Sequence, residues 1–452
     1  MRENGVIVIG GGLAGCEASW QLAKRGVPVR LVEMRPEKTT GAHRTGLLAE
    51  LVCSNSLKSD RPPTAHALLK EELKRLGSLL LETAERTRVP AGTALAVDRD
   101  RFAREVTGRI DGEPLIRIER TEAISLPEEG PVIVATGPLT SEAMAAALLR
   151  LVGENRLFFH DAIAPVLSAE SLDRERLFAA SRYGKGGEDY WNIPLDPEEY
   201  ERFVDAILAA DLHPLHACEE NPFFDACLPI EEIARRGREA LRFGPFKPVG
   251  LVDPATGRRP WAAIQLRREN KGGTAWNLVG CQTRMKQGEQ RRIFRTLPGL
   301  ARAEFLRYGS LHRNTYLRAP VILEGGIRLR AEPRIRLAGQ ITGVEGYVES
   351  IASGLAAGMD AAREARGGPL VTWPRETAIG SLLHYLSVSD GSGFQPTNVH
   401  FGLFPPLASA PRGRRGKKER NEAMTERARR ALERVLSAEE GESGSPPSSN
   451  SL

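Results

Sequence analysis

The 452-residue chain is 41% hydrophobic and 27% charged with a formal net charge of +5, which suits a globular protein and excludes a fibrous or disordered class. It has no apolar run of about 18 residues, so no transmembrane helix is expected. Met1-Arg2-Glu3-Asn4 leads directly into an apolar strand and a glycine turn, so no signal peptide is expected either.

In chain order, the apolar run Gly5–Gly10 predicts a buried parallel strand. Leu13, Cys16, Trp20, Leu22 and Ala23 then fall at helical spacing over Leu13–Arg25, with Gly26 as the stop. Val27–Met34 is the next strand, so strand, helix and strand follow in βαβ order and predict a right-handed crossover in a parallel sheet. A later strand, Pro131–Thr136, runs into Gly137. Another, Arg334–Ala338, runs into Gly339 and a helical stretch from about Val344 to Arg366. Between them, from about Ser168 to Arg302, Pro, Arg and aromatic residues become frequent and the strand–helix alternation is lost. This predicts an insertion at 168–302, with 1–167 and 303–436 forming one discontinuous domain. Arg412–Arg420 carries six basic residues, a charged helix is expected to about Leu436, and the Ser/Gly/Pro-rich stretch 437–452 is expected to be disordered.

Charge is unevenly placed. Leu228–Arg302 holds 16 Lys+Arg against 6 Asp+Glu, an excess of +10, so the rest of the chain sums to −5. The asymmetry suggests a polyanionic partner; on charge alone, a solvated basic face is the favoured explanation. The five cysteines (Cys16, Cys53, Cys218, Cys227, Cys281) form no C-x-x-C pair, and no H-E-x-x-H occurs, so neither a disulfide framework nor a metal site is expected. Free thiols in a reducing cytoplasm are the simple reading.

Gly10-Gly11-Gly12-Leu13-Ala14-Gly15 is a G-x-G-x-x-G between a strand and a helix. Gly10 permits the tight turn, Gly12 lets backbone approach a pyrophosphate, and Gly15 lets helix and strand pack closely. The helix N-terminus offers N–H groups and positive dipole to phosphate. Glu33 closes the second strand 18 residues past Gly15, placed to accept from a ribose hydroxyl. Val132-Ile133-Val134-Ala135-Thr136-Gly137 and Arg336-Leu337-Ala338-Gly339-Gln340 resemble two further strands of flavoproteins, the second followed by a helix aimed at the flavin. Together they favour FAD over NAD. The expected fold is α/β: a discontinuous, glutathione-reductase-like Rossmann domain holding FAD, with a smaller α/β insert.

Longer stretches are more specific. Gly41-Ala42-His43-Arg44-Thr45-Gly46, Ala49–Lys58, Pro222–Pro229, Gly244–Leu251, His312–Tyr316 and Ala338–Tyr347 resemble the folate- and FAD-dependent tRNA uracil-5-methyltransferases, over most of Gly10 to Phe404. The resemblance implies an enzyme making ribothymidine in the tRNA T-loop from 5,10-methylenetetrahydrofolate, with FAD as cofactor and NAD(P)H as reductant. No second G-x-G-x-x-G follows a strand, so NAD(P)H is expected as a visiting co-substrate. The resemblance also implies two working cysteines at Cys53 and Cys227. Uracil C5 becomes nucleophilic only after something adds to C6, and a thiolate can add there and leave again. Cys227 is the implied attacking thiolate, and Cys53 is implied near the flavin; their roles could be partly exchanged. Arg44, Lys58 and the basic insert are candidates for favouring the thiolates. Cys16, Cys218 and Cys281 read as ordinary small apolar residues.

With tRNA as the implied partner, Arg284, Lys286, Arg291 and Arg292, together with Arg267, Arg268 and Lys271, are candidates for phosphate contact. Trp261, Trp276 and Phe246 lie among them as planes on which an extruded base stacks, although core packing is the commoner role of any one. His43 and His312 are secondary site candidates. No membrane contact and no obligate protein partner are implied. Three other readings stand beside this one. The related flavoproteins that modify the wobble uridine share the glycine turn and the Ala-Gly-Gln strand, but are longer and carry a helical C-terminal domain. A small-molecule flavin oxidoreductase leaves the basic insert unexplained. A non-enzymatic tRNA-binding flavoprotein leaves the cysteines unexplained.

Overall fold

The computed structural model describes residues 5–153, 157–214, 228–388, 394–409 and 416–443. Its first half is organised by β1 (Val6–Ile9), α1 (Leu13–Lys24) and β2 (Val29–Glu33). β1 lies between two parallel partners, with Val6 opposite Val29 on β2 and Ile7 opposite Val132 on the Val132–Val134 strand. Ile335–Leu337 and Ile116–Arg120 extend the same parallel sheet on either side, and a short antiparallel pair completes its seven strands. Val6, Val8, Val132, Ile133 and Val134 are fully buried, the consequence of covering a parallel sheet on both faces. The late helix, Tyr347–Ala365, crosses α1 closely. A Cβ on Gly354 would stand 2.2 Å from the Ala14 carbonyl oxygen, and one on Gly358 2.6 Å from that of Ala18. Those two glycines, one turn apart, permit the approach.

The antiparallel ribbon Leu157–Ile163 with Ser310–Tyr316 leads out of this layer. Beyond it stands a six-stranded sheet, all of whose pairings are antiparallel, running in sequence from Val166–Ser168 to Phe305–Arg307. Its apolar core, from Leu167 to Ala303, is separate from the main core, which breaks off at Leu148 and resumes at Tyr316. The strands that open and close the insert therefore lie slightly outside 168–302, because each is a short piece whose pairing, not its composition, assigns it to the second sheet. A third, three-stranded sheet includes β3 (Ser56–Ser59).

At the C-terminal end the helix Gly416–Ser443 continues past Leu436, so 437–443 are helical where a disordered tail was expected. The reason is docking. Ala428, Leu432 and Val435 enter the main core, and Glu439 meets Arg25 at 2.6 Å and Arg363 at 2.9 Å. Among the described residues no helix is long and apolar enough to cross a membrane.

Candidate functional site

A cleft of about 980 Å³ opens at the carboxyl ends of the parallel strands, the place where open α/β sheets bind ligands. Gly10, Gly12, Leu13 and Ala14 line it from the first turn, Glu33 from β2, Gly137 after Val132–Val134, and Gly339 and Gln340 after Ile335–Leu337. Gly10 has φ +105°, and a Cβ there would stand 2.5 Å from the Ala135 carbonyl oxygen. Gly15 packs still closer, its virtual Cβ 1.8 Å from the Gly10 oxygen, whereas one on Gly12 would meet nothing within 4 Å. Gly12 is thus the residue that leaves room above the helix, and no side chain caps α1 there. Gly11 and Gly15 work behind the cleft wall: the Gly11 N–H donates to Glu33 Oε2 at 2.6 Å.

Glu33 is itself held. Arg35, 2% exposed, donates to Glu33 Oε1 from Nε at 2.7 Å and from its backbone N–H at 3.0 Å. Burial alone would raise the carboxyl's pKa, but Arg35's hydrogen bonds and charge, with the Gly11 N–H, leave it below the ordinary glutamate value. The acid is therefore an anion aimed at the cleft. An uncapped helix start, an open face at Gly12 and a fixed carboxylate fit a dinucleotide's pyrophosphate and ribose. Arg35 was not anticipated; its place two residues after Glu33 was the available signal.

A second cavity of about 970 Å³ shares Val52, Pro138, Leu139, Gln340 and Tyr347 with the cleft. Cys53, half-buried and free, lines it together with Ser54, Ser56, Lys58 and Asn314. Its loop is gripped from several directions. The Tyr347 hydroxyl accepts from the N–H groups of Cys53 at 2.9 Å and Ser54 at 3.1 Å. Burial, with the Cys53 charge second, pushes the Tyr347 phenol well above its usual range, so it keeps its proton. Arg307, from the insert's last strand, donates to the carbonyls of Val52 and Cys53, each at 3.0 Å. Burial first and Arg99 second push its guanidinium down to about 10, which leaves it charged at neutral pH. Arg267 reaches Asn55 Oδ1 at 2.9 Å and Ser54 Oγ at 2.8 Å, while Arg99 joins the Leu51 carbonyl to Glu269, each at 2.7 Å. None of these loop-holding roles was anticipated from sequence, because the partners lie far away along the chain.

Cys218 and Cys227 lie outside the described residues, as do residues 222–227 of the Pro222–Pro229 motif; the described chain resumes at Leu228, and the Ile230 N–H donates at 2.8 Å to the carbonyl of Gln282, which lines the cavity. Cys16 and Cys281 are fully buried, and burial pushes both thiols far above the ordinary range, which makes them inert packing residues. His43 lines the cleft with Nδ1 2.7 Å from Thr40 Oγ1, and His312 lies on the Ser310–Tyr316 strand.

The insert's basic residues divide. Arg284 is turned inward, donating to Glu232 at 2.8 Å and to the His213 carbonyl at 2.9 Å. Lys286 and Arg292 are half-exposed beside Asp211 and Glu289, and Arg291 reaches the Tyr308 hydroxyl at 2.7 Å. Phe246 and Trp276 are core residues, and Trp261 lies under the Arg242 guanidinium at 3.5 Å. Among the described residues no group of His, Cys, Asp or Glu is arranged to hold a metal ion.

The family model described as "Glucose inhibited division protein A" matches residues 5–369. Among curated proteins, the chain is 54% identical over 97% of its length to all of the "Methylenetetrahydrofolate--tRNA-(uracil-5-)-methyltransferase TrmFO" of Desulforudis audaxviator. It is 57% identical to the protein of the same name from Solibacter usitatus, over 94% of this chain and 97% of that one. Among solved structures, Aquifex aeolicus GidA in its form I crystal superposes with a TM-score of 0.68 at 16% identity, covering 96% of this chain and 78% of that one, a likeness of fold alone. The cleft, the Cys53 cavity and these full-length similarities together establish that the chain belongs to the glucose inhibited division protein A family and, within it, to the methylenetetrahydrofolate–tRNA-(uracil-5-)-methyltransferases.

Proposed function

We propose that the chain transfers the methylene of 5,10-methylenetetrahydrofolate to C5 of the T-loop uridine of tRNA and reduces it to a methyl group with electrons from NAD(P)H, giving ribothymidine. The observation that carries this reading is the position of Cys53 in a cavity that shares a wall with the dinucleotide cleft. In the cleft, Gly10, Gly12, Leu13, Ala14 and the start of α1 would hold the pyrophosphate of FAD, Glu33 its ribose, and Gly137, Gly339 and Gln340 its inner portion. When bound, FAD supplies the one-carbon relay and the hydride. The chain's own residues do the rest. Tyr347, Arg307 and Arg267 hold the Cys53 loop against the cavity, so that the thiol needs no reorganisation when substrate arrives. Cys227 is assigned the thiolate that adds to C6 of the extruded uracil, and Cys53 the position beside the flavin.

The tRNA side is assigned to the insert, where Lys286, Arg291 and Arg292 face outward as phosphate contacts and Arg284 acts through its ion pair with Glu232. A cytoplasmic location accords with a tRNA substrate and with the free thiols of Cys16, Cys53 and Cys281. The test is incubation of the FAD-loaded protein with unmodified tRNA, labelled methylenetetrahydrofolate and NAD(P)H. Label is expected in T-loop ribothymidine, and Cys227→Ala is expected to lose transfer while retaining FAD. Flavin turnover with unlabelled tRNA would identify a small-molecule oxidoreductase instead.

A further inference from the structure

Lys58 is placed in the Cys53 cavity by two departures from regular backbone. β3 pairs with the Ala94–Val97 strand with Ser56 opposite Ala96 and Ser59 opposite Ala94, so β3 carries one extra residue between them. Lys58 occupies that bulge with φ +62°, in the left-handed region that a residue with a long side chain seldom adopts. Bulges of this kind re-aim a side chain, and strained backbone persists only where its surroundings enforce it. Here the side chain lines the cavity with Cys53, Ser56, Asn314 and Asn398.

Its electrostatic setting is equally uneconomical for a structural lysine. A Cβ built on Gly346 would stand 3.0 Å from Lys58 Nζ, so the ammonium sits at the N-cap of the Tyr347–Ala365 helix, where the dipole disfavours a cation. Glu349, 0% exposed, holds it there at 3.9 Å, and Asn398 Oδ1 accepts a second contact. The Val399 N–H fixes Glu349 Oε1 at 3.1 Å. His66 Nε2 lies 3.7 Å from the same carboxylate, but burial first, then the charges of Lys58, Lys70 and His400, push its pKa down to about 4, so it stays neutral at neutral pH. An ammonium has three donors; Asn398 Oδ1 takes one, and Glu349 at 3.9 Å pairs by charge beyond hydrogen-bond reach, so donors remain for the cavity.

We propose that Lys58 is the cation that receives the negative charge of the target pyrimidine, its Nζ donating to the uracil C4 oxygen as the thiolate adds to C6. This rests on the uracil-methylation reading. As the sulfur–C6 bond forms, the C5–C6 π pair shifts to C4–C5 and the C4–O4 π pair moves onto O4. The thiolate's charge reappears on that oxygen, with no proton transferred. A charge fixed beforehand at this point needs no solvent rearrangement.

The test uses FAD-loaded protein, tRNA tritiated at uracil C5, methylenetetrahydrofolate and NAD(P)H, following tritium release, flavin content and flavin potential. Lys58→Met is expected to slow tritium release by roughly 10²–10³-fold with flavin content unchanged, and Lys58→Arg to recover part of the rate. Because Lys58→Met strands the buried Glu349 charge, the double variant Lys58→Met/Glu349→Gln restores neutrality and is expected to be equally slow. A double variant at the wild-type rate would show that Lys58 only neutralises Glu349, and would overturn the assignment. Unchanged tritium release with a lowered flavin potential would overturn it as well, by moving the residue to the cofactor. Wild-type protein that releases no tritium would instead sink the methylation reading on which the proposal stands.

Discussion

The glycine turn at Gly10–Gly15 and the loop at Cys53–Ser56 border two cavities that share a wall, and they are held in opposite ways. The turn is held largely by itself: Gly15 packs against Gly10, Gly11 bonds to Glu33, and Glu33 is fixed by Arg35 two residues on. The loop is held by others. Tyr347, Arg267 and Arg307 each come from more than two hundred positions away, and the last two belong to the insert. The contacts that shape the turn thus lie within one βαβ unit, whereas the Cys53 loop is held only when the second sheet has docked. The cysteine loop is therefore where the insert and the dinucleotide cleft meet.

Three measurements would break or sharpen this contrast. The largest effect is expected at the self-contained turn. Gly15→Val forces side-chain atoms into the Gly10 carbonyl, costs about 3 kcal/mol of stability through overpacking, and yields protein purified without flavin. A yellow Gly15→Val protein with wild-type melting behaviour would end the claim that α1 must approach β1 so closely.

Arg307→Ala is expected to leave the flavin in place and lower methyl transfer by about 10²-fold, the scale of a small misplacement of a reacting group. Comparison of turnover with flavin absorbance in one preparation decides it. Equal losses of both would mean that the insert supports the whole domain and not the cysteine loop in particular.

The smallest effect concerns pH. The folded-state pKa of His66 is about 4, below its ordinary value of about 6.5. The unfolded chain therefore takes up a proton there before the folded one does. Its contribution to stability is complete above pH 6.5 and is lost as pH falls from about 6.5 toward about 4. Urea midpoints across that window should fall less steeply in His66→Gln than in the wild type; parallel curves would show that the imidazole is not desolvated beneath Lys58 and Glu349.

Much of this molecule was legible before its structure. The strand at Val6–Ile9, the helix at Leu13–Lys24, the acid at Glu33 and the strands that lead toward Gly137 and Gly339 are each written in a few adjacent residues, since periodicity and glycine placement act over short range. Cys53 was legible only through a resemblance. Arg307 and Arg35 look in sequence like any other arginine, and nothing in the residues around Arg284 foretells its ion pair with Glu232. Sequence alone thus determined the dinucleotide-binding half, because its geometry follows from local sterics of glycine and apolar strand. The tertiary structure decided which distant arginines and which tyrosine close on the cysteine loop, and that Lys58 turns into the cavity. Those choices depend on strand register, a bulge and burial, which bring together charges that chain order keeps apart.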